Sequence, residues 1–404
     1  MTRFAILLAL ILLALPAAAE QERRVVNATD TRLGGDGSKT RLVVDLDGPV
    51  APRLFTLANP YRVIVDLPDV SFGTKALPHE ARGLVSAYRF GLIAPGRSRI
   101  VIDVARPVKA ALRSLPAAED GQPARLVVEL TPTTESAFLA HMRSETHRAE
   151  QIPEPSAPKI VPDASDPRPV VVIDPGHGGI DTGARGAGGE EEKEVVLQFA
   201  RTLRDKLLAS GRYRVAMTRE DDSFVALADR VRFARENAAD LLLSIHADSL
   251  SADPFGVRGA TIYTLSDRAS DAEAERLAEK ENRADIIAGV DLTEEPDDVA
   301  GILIDLARRE TRVFSSRFAG TLVASVGKAI RLNKNPQRSA GFVVLKAPDV
   351  PSALLELGYM SSKEDLKLLL SQNWRDKAAD AIVTSIDAYF APRTTAKGGG
   401  SSVN

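Results

Sequence analysis

The chain has 404 residues, with 52 basic and 55 acidic side chains and a formal net charge of −3. That length leaves room for two or three domains that each bury a core. The balanced charge and an aromatic content of only 5% argue against a general nucleic-acid binder. The chain has no cysteine, so a metal site would have to use histidine, aspartate and glutamate.

The first residues have the pattern of a secretory signal peptide. Arg3 supplies the positive end, residues 5–15 form an apolar centre, and the alanines at 17–19 offer a cleavage site. The apolar centre is shorter than the roughly 20 residues that a membrane span requires. We therefore expect residues 1–19 to be removed after export, which leaves no stable membrane anchor.

Residues 24–131 repeat one short strand pattern, which predicts a small all-β sandwich domain. An arginine precedes β-branched residues that end at a carboxylate. The arginines could form a ligand surface, although charge pairing across strands on a solvated face is the simpler interpretation. No catalytic group of residues appears, so we expect a binding or targeting module. The four copies are RLVVDL at 41–46, RVIVDL at 62–67, RIVIDV at 99–104 and RLVVEL at 125–130.

Three further regions follow along the chain. Residues 132–168 are rich in proline, serine and charge, which predicts a semi-extended linker. Residues 169–391 alternate strand and helix patterns, which predicts an α/β domain with a mixed sheet and helices on both faces. The glycine-rich and serine-rich tail at 392–404 is expected to be disordered. Expected strands cover 170–173, 213–217, 240–245, 258–265, 342–345 and 352–357, and expected helices begin at Glu192 or lie near 225–238, 313–331, 362–371 and 374–390.

The stretch PVVVIDPGHGGIDTG at 169–183 places one histidine among glycines after an apolar strand. It lacks the lysine of a phosphate-binding P-loop, and its glycines do not open directly into a helix as dinucleotide-binding loops do. His177 and His246 both follow apolar strands, and the carboxyl edge of an open α/β sheet is where ligands bind. We therefore predict that the two histidines bind one metal ion together.

A hydrolytic zinc site needs three protein ligands and one open position. Without cysteine, the third ligand must be a carboxylate. Glu192 is the best candidate because it starts the helix that ends the glycine loop. Its neighbours Glu190 and Glu191 remain alternatives, since acidic residues also favour a solvated helix start.

Hydrolysis also needs a group that transfers protons, and Glu356 is our candidate. It lies in SALLELGYM, an otherwise apolar strand in which an isolated carboxylate is costly without a partner. The alternative is a structural ion pair with Arg338 or Lys346, which could instead hold a substrate carboxylate.

These features together resemble the zinc-dependent N-acetylmuramoyl-L-alanine amidases of type 3, which split peptidoglycan. The resemblance implies that His177, Glu192 and His246 bind zinc and that Glu356 is the catalytic acid and base. The N-terminal region resembles, more weakly, the AMIN domain that targets such amidases to the cell wall at division sites. The matching segments are VVIDPGHGGIDTGARG, EKEVVL, TREDDSFVALADRVRFARENAADLLLSIHAD and AGFVVLKAPDVPSALLELGYMSS, in the family's order.

The resemblance also implies a reaction and a place. The expected reaction is hydrolysis of the amide between N-acetylmuramic acid and L-alanine, in the periplasm, at the division septum, where it separates daughter cells. A zinc carboxypeptidase acting on cell-wall peptides and a non-catalytic peptidoglycan-binding scaffold are the alternatives. We expect a monomer.

An acidic insertion at 266–312 interrupts the catalytic pattern, and an insertion of this length is usually functional or disordered. Residues 271–289 predict a helix, with Glu281 in the middle of its apolar face. The resemblance implies an inhibitory helix that an activator, often of the LytM type, displaces. We therefore predict that Glu281 fills the open zinc position, with Glu275 and Asp285 as rivals and an exposed helix as the alternative. The apolar face consists of Ala274, Leu277, Ala278, Ala284 and Ala288.

Overall fold

A computed structural model describes most of the chain outside its first residues. The predicted signal peptide lies outside the described residues, and so does part of the predicted linker. Within them, no helix combines the length and the hydropathy needed to cross a membrane. The described ranges are 25–72, 81–119, 121–149, 166–249, 257–290 and 302–398.

The N-terminal domain is the expected all-β sandwich. One sheet has the order β5-β1-β2-β9-β8 and the other has the order β3-β4-β7-β6. The four sequence repeats fall on β2, β4, β7 and β9, which are central strands. The strands are β1 Val26–Gly35, β2 Thr40–Leu46, β3 Arg53–Leu57, β4 Arg62–Pro68, β5 Val70–Phe72, β6 Val85–Ala94, β7 Arg97–Val104, β8 Val108–Leu115 and β9 Ala124–Pro132.

The four-stranded sheet is buried on both faces. On β4, Val63 and Val65 face the interior of the sandwich, whereas Ile64 between them packs against the catalytic domain. This alternation follows from the period of two in a strand. The repeats on this sheet therefore pack both against the interior of the sandwich and against the second domain. The sequence predicted a solvated outer face, and for this sheet that prediction is wrong.

The predicted linker at 132–168 is wrong in its first part, because it contains a helix, α1 Glu135–Ala149. Phe138 anchors this helix in the sandwich core, with its ring centroid 5.1 Å from that of Tyr61. Phe138 is the fully buried residue among the described side chains of this helix, and Leu139 beside it packs partly buried against the same core.

The catalytic domain has a six-stranded mixed sheet of order β11-β10-β12-β15-β13-β14. Its neighbouring strands are parallel except for β13 and β15, which are antiparallel. The elements are β10 Val170–Pro175, α2 Glu192–Ala209, β11 Arg214–Met217, α3 Leu227–Glu236, β12 Leu241–His246, β13 Ala260–Leu265, α4 Ala272–Glu281, α5 Ala284–Ile287, α6 Ile302–Val326, β14 Leu332–Ala340, a 3-10 helix Val343–Leu345, β15 Ser352–Glu356, α7 Lys363–Leu369 and α8 Gln372–Gly398.

Helices cover both faces of this sheet, as the sequence predicts. Val171 and Ile173 of β10 pack on one side into a core formed with α2, α6 and α8. Val170 and Val172 face the opposite side, where they meet α3. Farther along that second side, α4 and α5 of the insertion pack over Tyr263 and Leu354.

Several predicted boundaries are wrong. The strand expected at 342–345 is instead a 3-10 turn, and the neighbouring strand is the polar segment β14. An apolar run marks burial but cannot by itself separate a strand from a packed turn, whereas an edge strand can be polar. Helix α8 continues to Gly398, so the tail predicted from residue 392 begins as helix.

Candidate metal centre

The candidate site lies at the carboxyl edge of three adjacent parallel strands. His177 follows β10, His246 ends β12, and Glu356 ends β15. His246 and Glu356 are directly paired in the sheet register. Parallel pairing therefore brings together side chains that lie far apart in the chain.

Three donor atoms converge at this edge. The Glu192 Oε1 atom lies 3.1 Å from His177 Nε2 and 3.4 Å from His246 Nδ1. The three ligand atoms lie within 4.8 Å of one another, and all three residues are buried. Within the described part of the chain, neither of these two histidine nitrogens has a hydrogen-bond partner. Buried nitrogens without partners are costly, so the set fits a divalent metal ion.

The structure also separates Glu192 from its neighbours. Glu191 pairs with Arg185 at 2.7 Å, and Glu190 accepts a hydrogen bond from the Gly188 amide at 3.0 Å. Glu192 alone of the three faces the histidines. Its carboxylate is fixed by the amides of Ala184 and Ala247, at 2.9 and 2.8 Å.

The glycines of the loop make room for these ligands. A Cβ on Gly176 would lie 2.4 Å from the His246 ring, and one on Gly183 would lie 2.6 Å from the His177 ring. His177 itself has a φ of 59°, a left-handed conformation that is uncommon outside glycine. Buried Arg230 holds this turn, because it donates to the carbonyl of His177 at 2.7 Å. The glycines of this loop thus leave the space that the rings of His177 and His246 occupy.

Asp181 is a site residue that the sequence reasoning missed. Its Oδ2 atom lies 2.9 Å from Nδ1 of His177, the ring nitrogen that faces away from the other donors. Carboxylates in this position fix the orientation and tautomer of metal-binding histidines. The sequence feature that could have revealed Asp181 is its position four residues after His177 within the glycine loop.

Charge at the site also favours a cation. Burial opposes the protonated form of His177, yet neighbouring carboxylates, Glu192 first among them, raise its pKa well above the usual value. Burial likewise disfavours the ionised form of Glu192, but the histidines, His177 foremost, lower its pKa. A divalent ion would neutralise the same excess of negative charge.

Glu356 is fully buried beside these ligands. Its Oε2 atom accepts a hydrogen bond from the Asp248 amide at 2.9 Å, whereas Oε1 has no partner among the described residues. Burial, and then the charges of nearby carboxylates, raise the pKa of Glu356 well above its usual value. Of the two predicted ion-pair partners, Arg338 pairs with Glu273 instead, and Lys346 is exposed.

The insertion places Glu281 against the metal ligands. The Oε2 atom of Glu281 lies 3.2 Å from His246 Nδ1 and 3.6 Å from His177 Nε2. Of the rival residues, Glu275 is exposed, and Asp285 accepts a hydrogen bond from the Leu227 amide at the start of α3.

Two further contacts fix the insertion at the site. Lys280 pairs with Asp248, and Glu273 pairs with Arg338 at 2.9 Å. The predicted single helix is two helices, because the chain turns at 282–283 between α4 and α5. The predicted apolar face is buried nonetheless, with Ala274 and Ala288 both fully inaccessible to solvent.

Known proteins share this architecture. Residues 171–388 match a family model described as N-acetylmuramoyl-L-alanine amidase, and residues 30–130 match the AMIN domain. The chain is 34% identical over 372 residues to "N-acetylmuramoyl-L-alanine amidase AmiC" of Escherichia coli O6:H1, covering 89% of this chain and 88% of that relative. It is 30% identical to a protein of the same name from Neisseria meningitidis serogroup B, covering 93% and 92% of the two chains. Among solved structures, amidase AmiC2 of Nostoc punctiforme is similar at 27% identity and a TM-score of 0.39, over 55% of this chain and 97% of that one.

Proposed function

Because this chain belongs to the N-acetylmuramoyl-L-alanine amidase family, we propose that it cuts peptidoglycan with a zinc ion bound by His177, Glu192 and His246. The bond cut is the amide between N-acetylmuramic acid and L-alanine. The observation that carries the proposal is the convergence of three buried donor atoms, two histidine nitrogens and one glutamate oxygen. Glu356 is paired with His246 in the sheet, and its Oε1 atom has no partner among the described residues. Two histidines and one glutamate are a known ligand set of hydrolytic zinc.

Proton transfer falls to Glu356. A zinc ion at this site would polarise the amide carbonyl and lower the pKa of water there. The Asp248 amide holds one oxygen of Glu356, which leaves Oε1 to accept a proton from the attacking water and to pass it to the leaving amine. Because burial raises the pKa of Glu356, this carboxyl can keep the proton between the two steps.

The bond that is cut distinguishes this proposal from its alternatives. With purified cell-wall sacculi, the amidase should release intact stem peptides and leave the glycan strands whole. A carboxypeptidase would release single amino acids, and a scaffold would release nothing. Chromatography of the soluble products separates the three results, and any product other than whole stem peptides would contradict the amidase.

Removing residues 24–131 should reduce the fraction of enzyme that pellets with sacculi, which tests the proposed wall-targeting role of that domain in the periplasm.

We further propose that the insertion holds the enzyme inactive until an activator, such as a LytM-type protein at the division septum, displaces it. The support is the position of Glu281, whose carboxylate lies against both histidines where a fourth zinc ligand would lie. Substrate cannot reach a site that this side chain fills. The ion pairs Lys280–Asp248 and Glu273–Arg338 add to the contact.

Changing Glu281 to alanine should raise basal hydrolysis of peptidoglycan without any activator. The expected increase is about 5- to 150-fold, the usual range for coupling between two sites. Deleting residues 271–289 should also raise the basal rate of peptidoglycan hydrolysis. The matched control is Glu275→Ala, on the same helix but exposed, which should leave the basal rate unchanged. Unchanged activity in both the substitution and the deletion, with zinc content and fold preserved, argues against autoinhibition.

A further inference from the structure

Three arginines of the N-terminal domain contact the end of the insertion. They lie on adjacent strands, with Arg62 on β4, Arg99 on β7 and Arg89 on β6. We call this set the arginine face. All three side chains point away from the interior of the sandwich and donate to backbone carbonyls at the C-terminal end of α5 and in the turn that follows it. Arg62 donates to Ile286 at 2.8 Å, Arg89 to Ile287 at 2.5 Å, and Arg99 to Ala288 and Gly289 at 3.1 and 3.0 Å.

Carbonyls at the C-terminal end of a helix have no partner within the helix, so they need donors from elsewhere. The chain closes α5 with two reversed bonds, from the Gly289 amide to Ile286 and from the Val290 amide to Asp285. The carbonyls of Ile287 and Ala288 remain, and the arginine face supplies their donors. A guanidinium donates charge-assisted hydrogen bonds, which are stronger than those of neutral donors. Geometry and charge are therefore both complementary.

The arginine face is held in place from behind. Asp103 binds Arg89 at 2.6 Å, and Asp66 binds Arg99 through two hydrogen bonds of 2.6 and 3.0 Å. Each of these pairs joins neighbouring strands of the four-stranded sheet. Their orientation is thus fixed before the insertion is bound, which lowers the entropy cost of the contact.

Apolar packing surrounds these polar contacts. Ile64 and Val101, both fully buried, belong to the same cluster as Leu277 and Ala278 of α4. Gly289 has a φ of 69°, and a Cβ there would lie 2.6 Å from Cδ1 of Ile64. The backbone of the insertion therefore rests directly on the sheet.

We propose that the arginine face locks the insertion in its blocking position, so that the N-terminal domain is part of the inhibitory device. This inference rests on the autoinhibition proposed above. The carbonyls bound by the arginine face belong to the turns that follow Glu281, the residue placed at the metal ligands. A partner or substitution that separates the N-terminal domain from α5 therefore also weakens the hold on Glu281. The position of the N-terminal domain is thus coupled to access to the site through the insertion.

Two variants test the lock from its two sides. Arg89→Ala with Arg99→Ala removes donors from the N-terminal sheet, and Gly289→Val crowds Ile64 from the insertion. Each should raise basal release of stem peptides about 5- to 150-fold. Each should also speed amide hydrogen exchange in 272–290. The control is Arg41→Ala, at the matching repeat position on the other sheet, where the side chain is 55% exposed and pairs with Glu129. A thermal melt of each variant shows whether the sandwich is intact.

The comparison with Glu281→Ala separates the lock from autoinhibition itself. If Glu281→Ala raises the basal rate but both lock variants match Arg41→Ala in rate and exchange, the lock is wrong and autoinhibition stands. If neither Glu281→Ala nor deletion of 271–289 raises the basal rate, the proposed autoinhibition fails, and the lock fails with it. In a Glu281→Ala background, the lock substitutions should add no further activity, because they act through the same insertion. An equal increase in that background would overturn the lock.

Discussion

Replacing Glu356 with glutamine is expected to lower the turnover of peptidoglycan about 10²- to 10⁴-fold, the usual contribution of general acid–base catalysis. Glutamine keeps the size of the side chain and can still accept the Asp248 hydrogen bond, but it cannot take a proton. Oε1 of Glu356 has no hydrogen-bond partner among the described residues, so a neutral amide group in its place breaks no hydrogen bond. The measurement is the initial rate of stem-peptide release at saturating sacculi.

The same preparation provides the controls for this variant. Its zinc content and melting temperature should match those of the parent chain, which separates a loss of chemistry from a loss of structure. Glu364→Gln, an exposed substitution on α7 with 65% of its side chain accessible, should leave the rate unchanged. If Glu356→Gln keeps more than about a tenth of the activity, Glu356 is structural and the proton is transferred elsewhere.

The second large effect concerns the metal. The purified chain should contain about one zinc ion, and the double variant His177→Ala, His246→Ala should contain almost none. Each substitution removes one donor, and the two carboxylates that remain, Glu192 and Glu281, offer too few ligands to hold the ion. Elemental analysis after dialysis measures this directly and does not depend on activity.

Asp181 gives the metal experiment a graded comparison. Asp181→Asn keeps all three donors but changes the group that orients His177, so it should weaken metal affinity about 10- to 100-fold rather than abolish it. His141→Ala, far away on α1, should bind zinc like the parent chain. Full zinc content in the double histidine variant would show that the ion, if present, binds elsewhere.

The fold class and the convergence of His177, Glu192 and His246 could be predicted because both depend on short-range patterns. An apolar strand followed by a histidine, twice, predicts a shared edge once parallel pairing is assumed. Glu281 was predicted from its position on an apolar helix face, and the structure places it against the same histidines. The metal ligands and their roles stay predictions that the experiments above test.

The errors arose where tertiary contacts outweigh local pattern. Strand β14 is polar because it lies at the sheet edge, whereas Phe342 and Leu345 are apolar because a turn is buried beneath the insertion. Arg62 and Arg99 each begin a strand repeat that has a carboxylate near its end, a pattern that is typical of charge pairs across strands on a solvent-exposed face. Nothing in the local sequence shows that a second domain covers them. Only the contact between distant segments reveals their partners.

The insertion belongs to the connection between β13 and α6, so both of its ends are fixed to the catalytic sheet. A tethered carboxylate meets its binding site at an effective concentration of about millimolar, whatever the concentration of the protein. Under the proposed autoinhibition, dilution of the enzyme should therefore not relieve the block, and neither should a low concentration of the protein in the cell. A free peptide that copies 272–290 should inhibit a chain lacking the insertion only near that concentration. The proposed activator would likewise compete with this local concentration, which favours a partner that binds the displaced insertion tightly over one that is merely abundant.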